Sequence, residues 1–145
     1  MKSLILSIIL IVSAVTVSFA QQNTDLFTHY IAVKDALIKG DAATAATQAA
    51  ELNKAITTHS SVLDKLSANA VAISESTDLD QQRKQFKTLS DNVYTLSKET
   101  KLSSEPVYRL YCPMKKSYWL SNEAVIKNPY YGKQMLTCGT VSDTL

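Results

Sequence analysis

Both cysteines of this 145-residue chain, two of its three methionines and its only tryptophan lie in one stretch, VYRLYCPMKKSYWLSNEAVIKNPYYGKQMLTCG, from Val107 to Gly139. The sulfurs come as Cys-Pro-Met at the front (Cys112, Met114) and Met-x-x-Cys-Gly at the back (Met135, Cys138). Two thiolates and two thioethers are soft donors, and such a set selects Cu(I) over Mg, Ca or Mn. Zinc more usually recruits His or further Cys. If the two ends of the stretch converge, Cys112, Met114, Met135 and Cys138 form a metal-ligand set, and Trp119 can lie over the bound cation as an aromatic cap.

The same residues have a plainer reading. Two cysteines in an exported chain most simply form a disulfide, and a Cys112 to Cys138 bridge stabilises by about 3 to 4 kcal/mol in the chain-entropy argument. Met114 and Met135 are then core filler, and Trp119, Tyr130 and Tyr131 are packing anchors. Spacing alone leaves both readings open.

Convergence depends on local structure. The run PVYRLYC is rich in β-formers and alternates, so Tyr108, Leu110 and Cys112 share a face of a short strand that Pro113 stops. Further on, Asn128 can cap a short helix with Pro129 at its first position and Gly139 just past its end. On that helix Met135 and Cys138, three residues apart, project from one side.

Other chemistry is sparse. His29 and His59 are the only histidines, and both fall in or next to predicted helices. His29 is kept as a fifth-ligand candidate, on a helix that could underlie the sulfur segment. No G-x-S-x-G, H-E-x-x-H, C-x-x-C or phosphate-cradling glycine loop occurs. Asp78, Asp80, Glu99 and Glu105 read as helix-terminal and surface charges, without a paired acid and base. No enzyme activity is expected.

The elements that must position the sulfurs come earlier in the chain. Of the three glycines and three prolines, only Gly40 precedes Pro106, so Thr24 to Leu102 is otherwise free of helix breakers. One helix carries the stripe Leu26, Tyr30, Val33, Leu37 and ends at Gly40, where Asp41 caps the next. The second stripe, Ala45, Ala49, Leu52 and Ile56, begins with small residues that let a neighbour approach closely. A third, Leu63, Leu66, Ala70 and Ile73, starts from the serines at 60 and 61. The fourth runs Leu79, Phe86, Leu89, Val93 and Leu96, with Thr77 and Asp80 spaced like a capping box and Lys98 and Lys101 at its C-terminal end. The expected fold is mainly α: an antiparallel four-helix bundle with a C-terminal appendage of one strand and one short helix carrying the two cysteines.

Lys2 followed by an apolar run from Leu4 to Val17 and then Ser18-Phe19-Ala20 reads as a signal peptide over residues 1–20. The expected divisions are therefore the leader, a bundle over 21–104, and a segment over 105–145 packed on that bundle as one domain. Without the leader, 14 basic residues face 13 acidic ones, a balance that excludes a basic stripe for nucleic acid. No membrane contact is expected once the leader is removed.

The string from Cys112-Pro113-Met114 through Trp119-Leu120-Ser121, Ile126, Asn128 to Gly132, Met135-Leu136 and Cys138-Gly139 resembles a domain family of unknown function from Gram-negative envelopes. YIAVKDALIKGD and QRKQFKTLSDNVYTL resemble the helical half of that family. KKSYW departs from it, where a smaller, glycine-containing linker is expected before the tryptophan. Some members are fused to the periplasmic adaptor subunits of heavy-metal efflux pumps. The resemblance implies a helical periplasmic domain tied to copper or related metals. Two functions follow as expectations: a periplasmic Cu(I)-binding protein of metal homeostasis or efflux, or a disulfide-stapled module that docks on an envelope or efflux component without metal.

Overall fold

The computed structural model describes the backbone from Lys2 and the side chains from Ala20 to Leu145. The leader reading rests on residues 1–20, whose side chains, Ala20 apart, lie outside the described ones. Four helices come first: α1 (Lys2–Lys39), α2 (Ala42–Ala55), α3 (Ser61–Ser74) and α4 (Leu79–Glu99). Three strands follow, β1 (Tyr108–Cys112), β2 (Ser117–Ser121) and β3 (Thr140–Thr144), with a 3₁₀ turn at Gly132–Gln134 before the last. Among the described residues no helix is long and apolar enough to cross a membrane.

The expected stripes become the core. Leu26, Tyr30, Val33 and Leu37 of α1 are buried against Ala45, Ala49 and Leu52 of α2, and Leu66, Ala70, Ile73, Phe86, Leu89 and Val93 extend the same cluster. Each boundary has a local cause. Gly40, at φ +75°, lets the chain leave α1, and the Asp41 carboxylate then accepts the Thr44 amide at 2.9 Å to start α2. Ser60 Oγ accepts the Leu63 amide at 3.2 Å to start α3.

The fourth helix starts differently from the expected capping box. Asp78, not Thr77, is the cap, and its carboxylate accepts the Gln81 amide at 2.7 Å. Ser76 Oγ takes the Asp78 amide at 3.2 Å and so holds that residue extended outside the helix. One turn on, the buried Gln82 donates to the carbonyls of Ala42 and Ser76 at 2.9 and 2.8 Å, tying α4 to the start of α2 and the end of α3.

The appendage has more strand and less helix than expected. β1 pairs antiparallel with β2 on one side and with β3 on the other, in the order β2-β1-β3. The hairpin places Leu110 opposite Trp119 and Cys112 opposite Ser117. Its four-residue turn ends on Lys116, at φ +48°, within the segment where the family pattern leads one to expect a smaller, glycine-containing linker. The expected helix from Pro129 to Cys138 does not form; three residues of 3₁₀ helix stand in its place. Asn128 is the reason. Its side chain bonds both the Tyr130 amide and the Cys138 carbonyl, and its own amide donates to the Leu136 carbonyl at 2.8 Å, so the segment closes as a loop.

Bundle and sheet share one core. Tyr30 stacks between Phe27 and Phe86, Phe86 touches Tyr130, and Tyr130 meets Trp119 edge-on at 6.1 Å. Each such ring buries about 150–250 Å², worth about 4–6 kcal/mol before conformational entropy is subtracted. The Tyr30 hydroxyl accepts the Leu120 amide of edge strand β2 at 2.9 Å and shares a 2.8 Å hydrogen bond with Ser90. Burial pushes this phenol well above its usual pKa, so it stays a neutral hydroxyl. Lys34 reaches Ser121 at 3.3 Å, and the Arg109 guanidinium is held between the rings of Tyr94 and Tyr118 at 3.7 and 3.8 Å.

Candidate soft-metal site

Cys112 ends β1 with its side chain buried, and Cys138 is half-buried two residues before β3. Pairing of Tyr111 with Thr140 across β1 and β3 sets the two cysteines side by side. Their thiols interact directly, and the Met114 backbone amide faces the Cys138 sulfur. The Cys138 amide in turn donates to the Met135 carbonyl at 3.1 Å. The backbones of Met114 and Met135 therefore both meet Cys138, beside which Cys112 lies.

Burial pushes the Cys138 thiol above its usual pKa, and the neighbouring Cys112 thiol pushes it in the same direction; the Met114 amide opposes both. Both cysteines are free thiols in this structure.

The methionines are not core filler. Met114 is 64% exposed in the hairpin turn and Met135 is 38% exposed in the loop, while the core residues around them are closed off. Flexible thioethers left at the surface beside a thiol pair are available as ligands. Among the described residues no three of His, Cys, Asp and Glu cluster as a metal site. No His, Asp or Glu thus joins Cys112 and Cys138 in such a group among the described residues, and a set of sulfur donors would suit a soft ion of low coordination number more than a four-coordinate zinc site.

Trp119 is fully buried and supports the site from beneath. An added Cβ at Gly139 would come within 2.9 Å of the Trp119 ring and 3.0 Å of the Tyr111 carbonyl, so only glycine lets the chain after Cys138 lie this close. His29 sits elsewhere. α1 does pass under the sheet through Tyr30 and Lys34, but the His29 ring turns to α2, where Nδ1 lies 3.2 Å from Gln48 Oε1. Adjacent positions on a helix point about 100° apart, which is why Tyr30 and His29 part company. His59 is exposed beside Asp64 at 3.1 Å.

Two positioning residues escaped the sequence reading. Asn128 was legible as a cap but not as the clamp of a loop. Arg83 bridges α4 to the Pro129 and Leu37 carbonyls at 2.9 and 3.1 Å, fixing the loop against the end of α1. Its only signal was a cation within one turn of the buried Phe86.

The geometry defines a class: a helical-bundle domain bearing a small thiol-containing sheet. The chain belongs to the family described as protein of unknown function (DUF3347), which it matches over residues 26–105. That match spans the four-helix half and ends just before β1, so the sulfur cluster lies beyond it. No curated protein and no solved structure matches the chain.

Proposed function

We propose that this protein is exported to the periplasm and there holds or passes Cu(I), in metal homeostasis or efflux. Cys112 and Cys138 are the principal ligands and Met114 and Met135 the supporting ones. The observation that carries the reading is the gathering of sulfur residues itself: two adjacent thiols, with the exposed Met114 and Met135 next to them in the fold and no His, Asp or Glu grouped with the pair among the described residues. Thiolates dominate the affinity because they carry charge and thioethers do not. The resemblance to domains fused to efflux-pump adaptors supports such an adaptor as the partner.

Competition against a Cu(I) chelator, with fully reduced protein under anaerobic conditions, tests this. Wild type is expected to take one Cu(I) from the chelator. Cys112→Ser/Cys138→Ser is expected to take none, and Met114→Leu or Met135→Leu to compete more weakly with the fold unchanged, because Leu and Met have similar volume. Equal failure of wild type and the double-serine variant overturns the reading.

The adjacency of the thiols also favours a second reading, a disulfide-stapled module that docks on an envelope component without metal. Intact mass of the protein isolated from its own compartment separates the two. A chain lighter by two hydrogens supports the staple, and free thiols support the metal site.

A further inference from the structure

Four basic side chains, Arg83, Lys84, Lys87 and Lys115, line one cavity of about 390 Å³ together with Asp80, Ser117 and Tyr130. The chain as a whole is nearly balanced, with 15 basic and 13 acidic residues, so this concentration is local and not a consequence of net charge. Lys87 is four residues from Arg83 and three from Lys84 on α4, so it neighbours both on the helix surface, and the hairpin turn brings Lys115 across to them.

The one carboxylate in the lining pairs with Arg83 and offsets only part of the four positive charges. Asp80 is 92% exposed and stands 3.8 Å from Arg83. Arg83 spends its Nε and Nη2 hydrogens on backbone carbonyls, and the Tyr130 hydroxyl donates to the Tyr118 carbonyl. The Arg83 guanidinium on the floor of the cavity is therefore fixed in place, Lys84 and Lys87 form a movable rim, and the Lys115 ammonium lies over the Tyr131 ring at 4.7 Å. Converging ammonium groups repel one another, and an anion between them removes that cost. A lysine offers three donors on a flexible stem, which suits a compact, non-planar, multiply charged ligand more than the flat bidentate groups that arginine prefers.

We propose that this cavity is a binding site for a small polyanion carrying two or more carboxylate or phosphate groups. Arg83 supplies a fixed positive field, and Lys84, Lys87 and Lys115 supply the direct contacts. The volume fits a molecule of citrate or pyrophosphate size and is too small for a folded partner. The site adjoins the sulfur segment, since Lys115 follows Met114 and Ser117 pairs with Cys112, but its contacts are cationic and need no metal.

Calorimetric titration of the reduced, metal-free mature protein with citrate and, separately, with pyrophosphate tests it, against sodium chloride of matched ionic strength. At least one of the two is expected to bind one-to-one with a Kd below about 1 mM. Binding of citrate alone identifies the ligand as a polycarboxylate, and binding of pyrophosphate alone as a phosphate ester or anhydride. Lys84→Gln/Lys87→Gln, which removes exposed groups that support no packing, is expected to weaken binding at least tenfold. Lys115→Gln is expected to weaken it by a smaller factor, and Lys65→Gln on α3 to leave it unchanged. Binding of neither anion beyond the chloride control overturns the proposal, as does equal binding by wild type and the α4 double variant. Binding only of an acidic peptide such as oligoglutamate also overturns it, in favour of a protein-docking surface.

Discussion

The side-chain amide of Asn128 donates to the Cys138 carbonyl at 2.7 Å, and this bond ties the start of the loop that carries Met135 to its end, two residues before β3. The other end of the same side chain accepts the Tyr130 amide at 2.8 Å, and Asn128 itself is fully buried. Alanine at 128 leaves a buried donor and a buried acceptor without partners. A loss of about 2–4 kcal/mol in urea denaturation is expected. Asp at 128 keeps the acceptor for Tyr130 and loses the donor to Cys138, so it should also slow capture of the thiol pair by a dithiol-selective arsenical. A destabilisation below about 0.5 kcal/mol for the alanine variant would mean that the loop is held by other contacts.

Tyr30→Phe tests the joint between bundle and sheet. The ring stays and the stack on Phe86 with it, but the Leu120 amide and Ser90 lose their buried partner. A loss of about 1–3 kcal/mol is expected. Faster hydrogen exchange at Leu120 than at the core of α4 would locate the damage at the sheet edge.

Copper binding should depend on pH with a definite sign. Burial and the Cys112 thiol raise the pKa of the Cys138 thiol, so at neutral pH the proposed site holds its proton, which a bound Cu(I) would displace. The apparent affinity therefore rises with pH, by about tenfold per pH unit for each proton released, and keeps rising past the range in which an ordinary thiol has finished titrating. Chelator competition at pH 6, 7, 8 and 9 measures the slope. A flat profile would mean that the bound ion displaces no thiol proton.

Lys116→Gly should stabilise the hairpin. Lysine at φ +48° carries the left-handed penalty of about 1 kcal/mol that glycine avoids, partly offset by the greater freedom of glycine in the unfolded chain. A gain of about 0.5 kcal/mol, seen as a rise of a few degrees in Tm, is expected. The loop cations Lys115 and Lys133 serve as controls when changed to glycine, since neither has a positive φ to relieve.

The helices of the bundle and most of their buried faces were legible, because helix periodicity and caps act over four or five neighbours and the chain writes both locally. Even so, Ile56 falls just past the end of α2, Leu79 is only partly buried and Asp78 replaces Thr77 as the α4 cap. Leu26, Tyr30, Val33 and Leu37 line up on any helix, whatever it later packs against. The gathering of Cys112, Met114, Met135 and Cys138 in one segment was also visible, as was the soft chemistry those atoms share. Their meeting was not. β3 is exposed along its whole length and shows no apolar alternation, so its pairing with β1 left no trace in the pattern of TVSDT. Asn128-Pro129 has the local chemistry of a helix start, and the helix was lost to bonds that Asn128 makes with Cys138 and Leu136 and to the Pro129 carbonyl's bond with Arg83. The cavity lysines come from α4 and a hairpin turn that no short-range rule connects. Caps and stripes are short-range and additive, whereas a strand register or a shared cavity exists only once distant segments are buried together, and only the tertiary structure decides that.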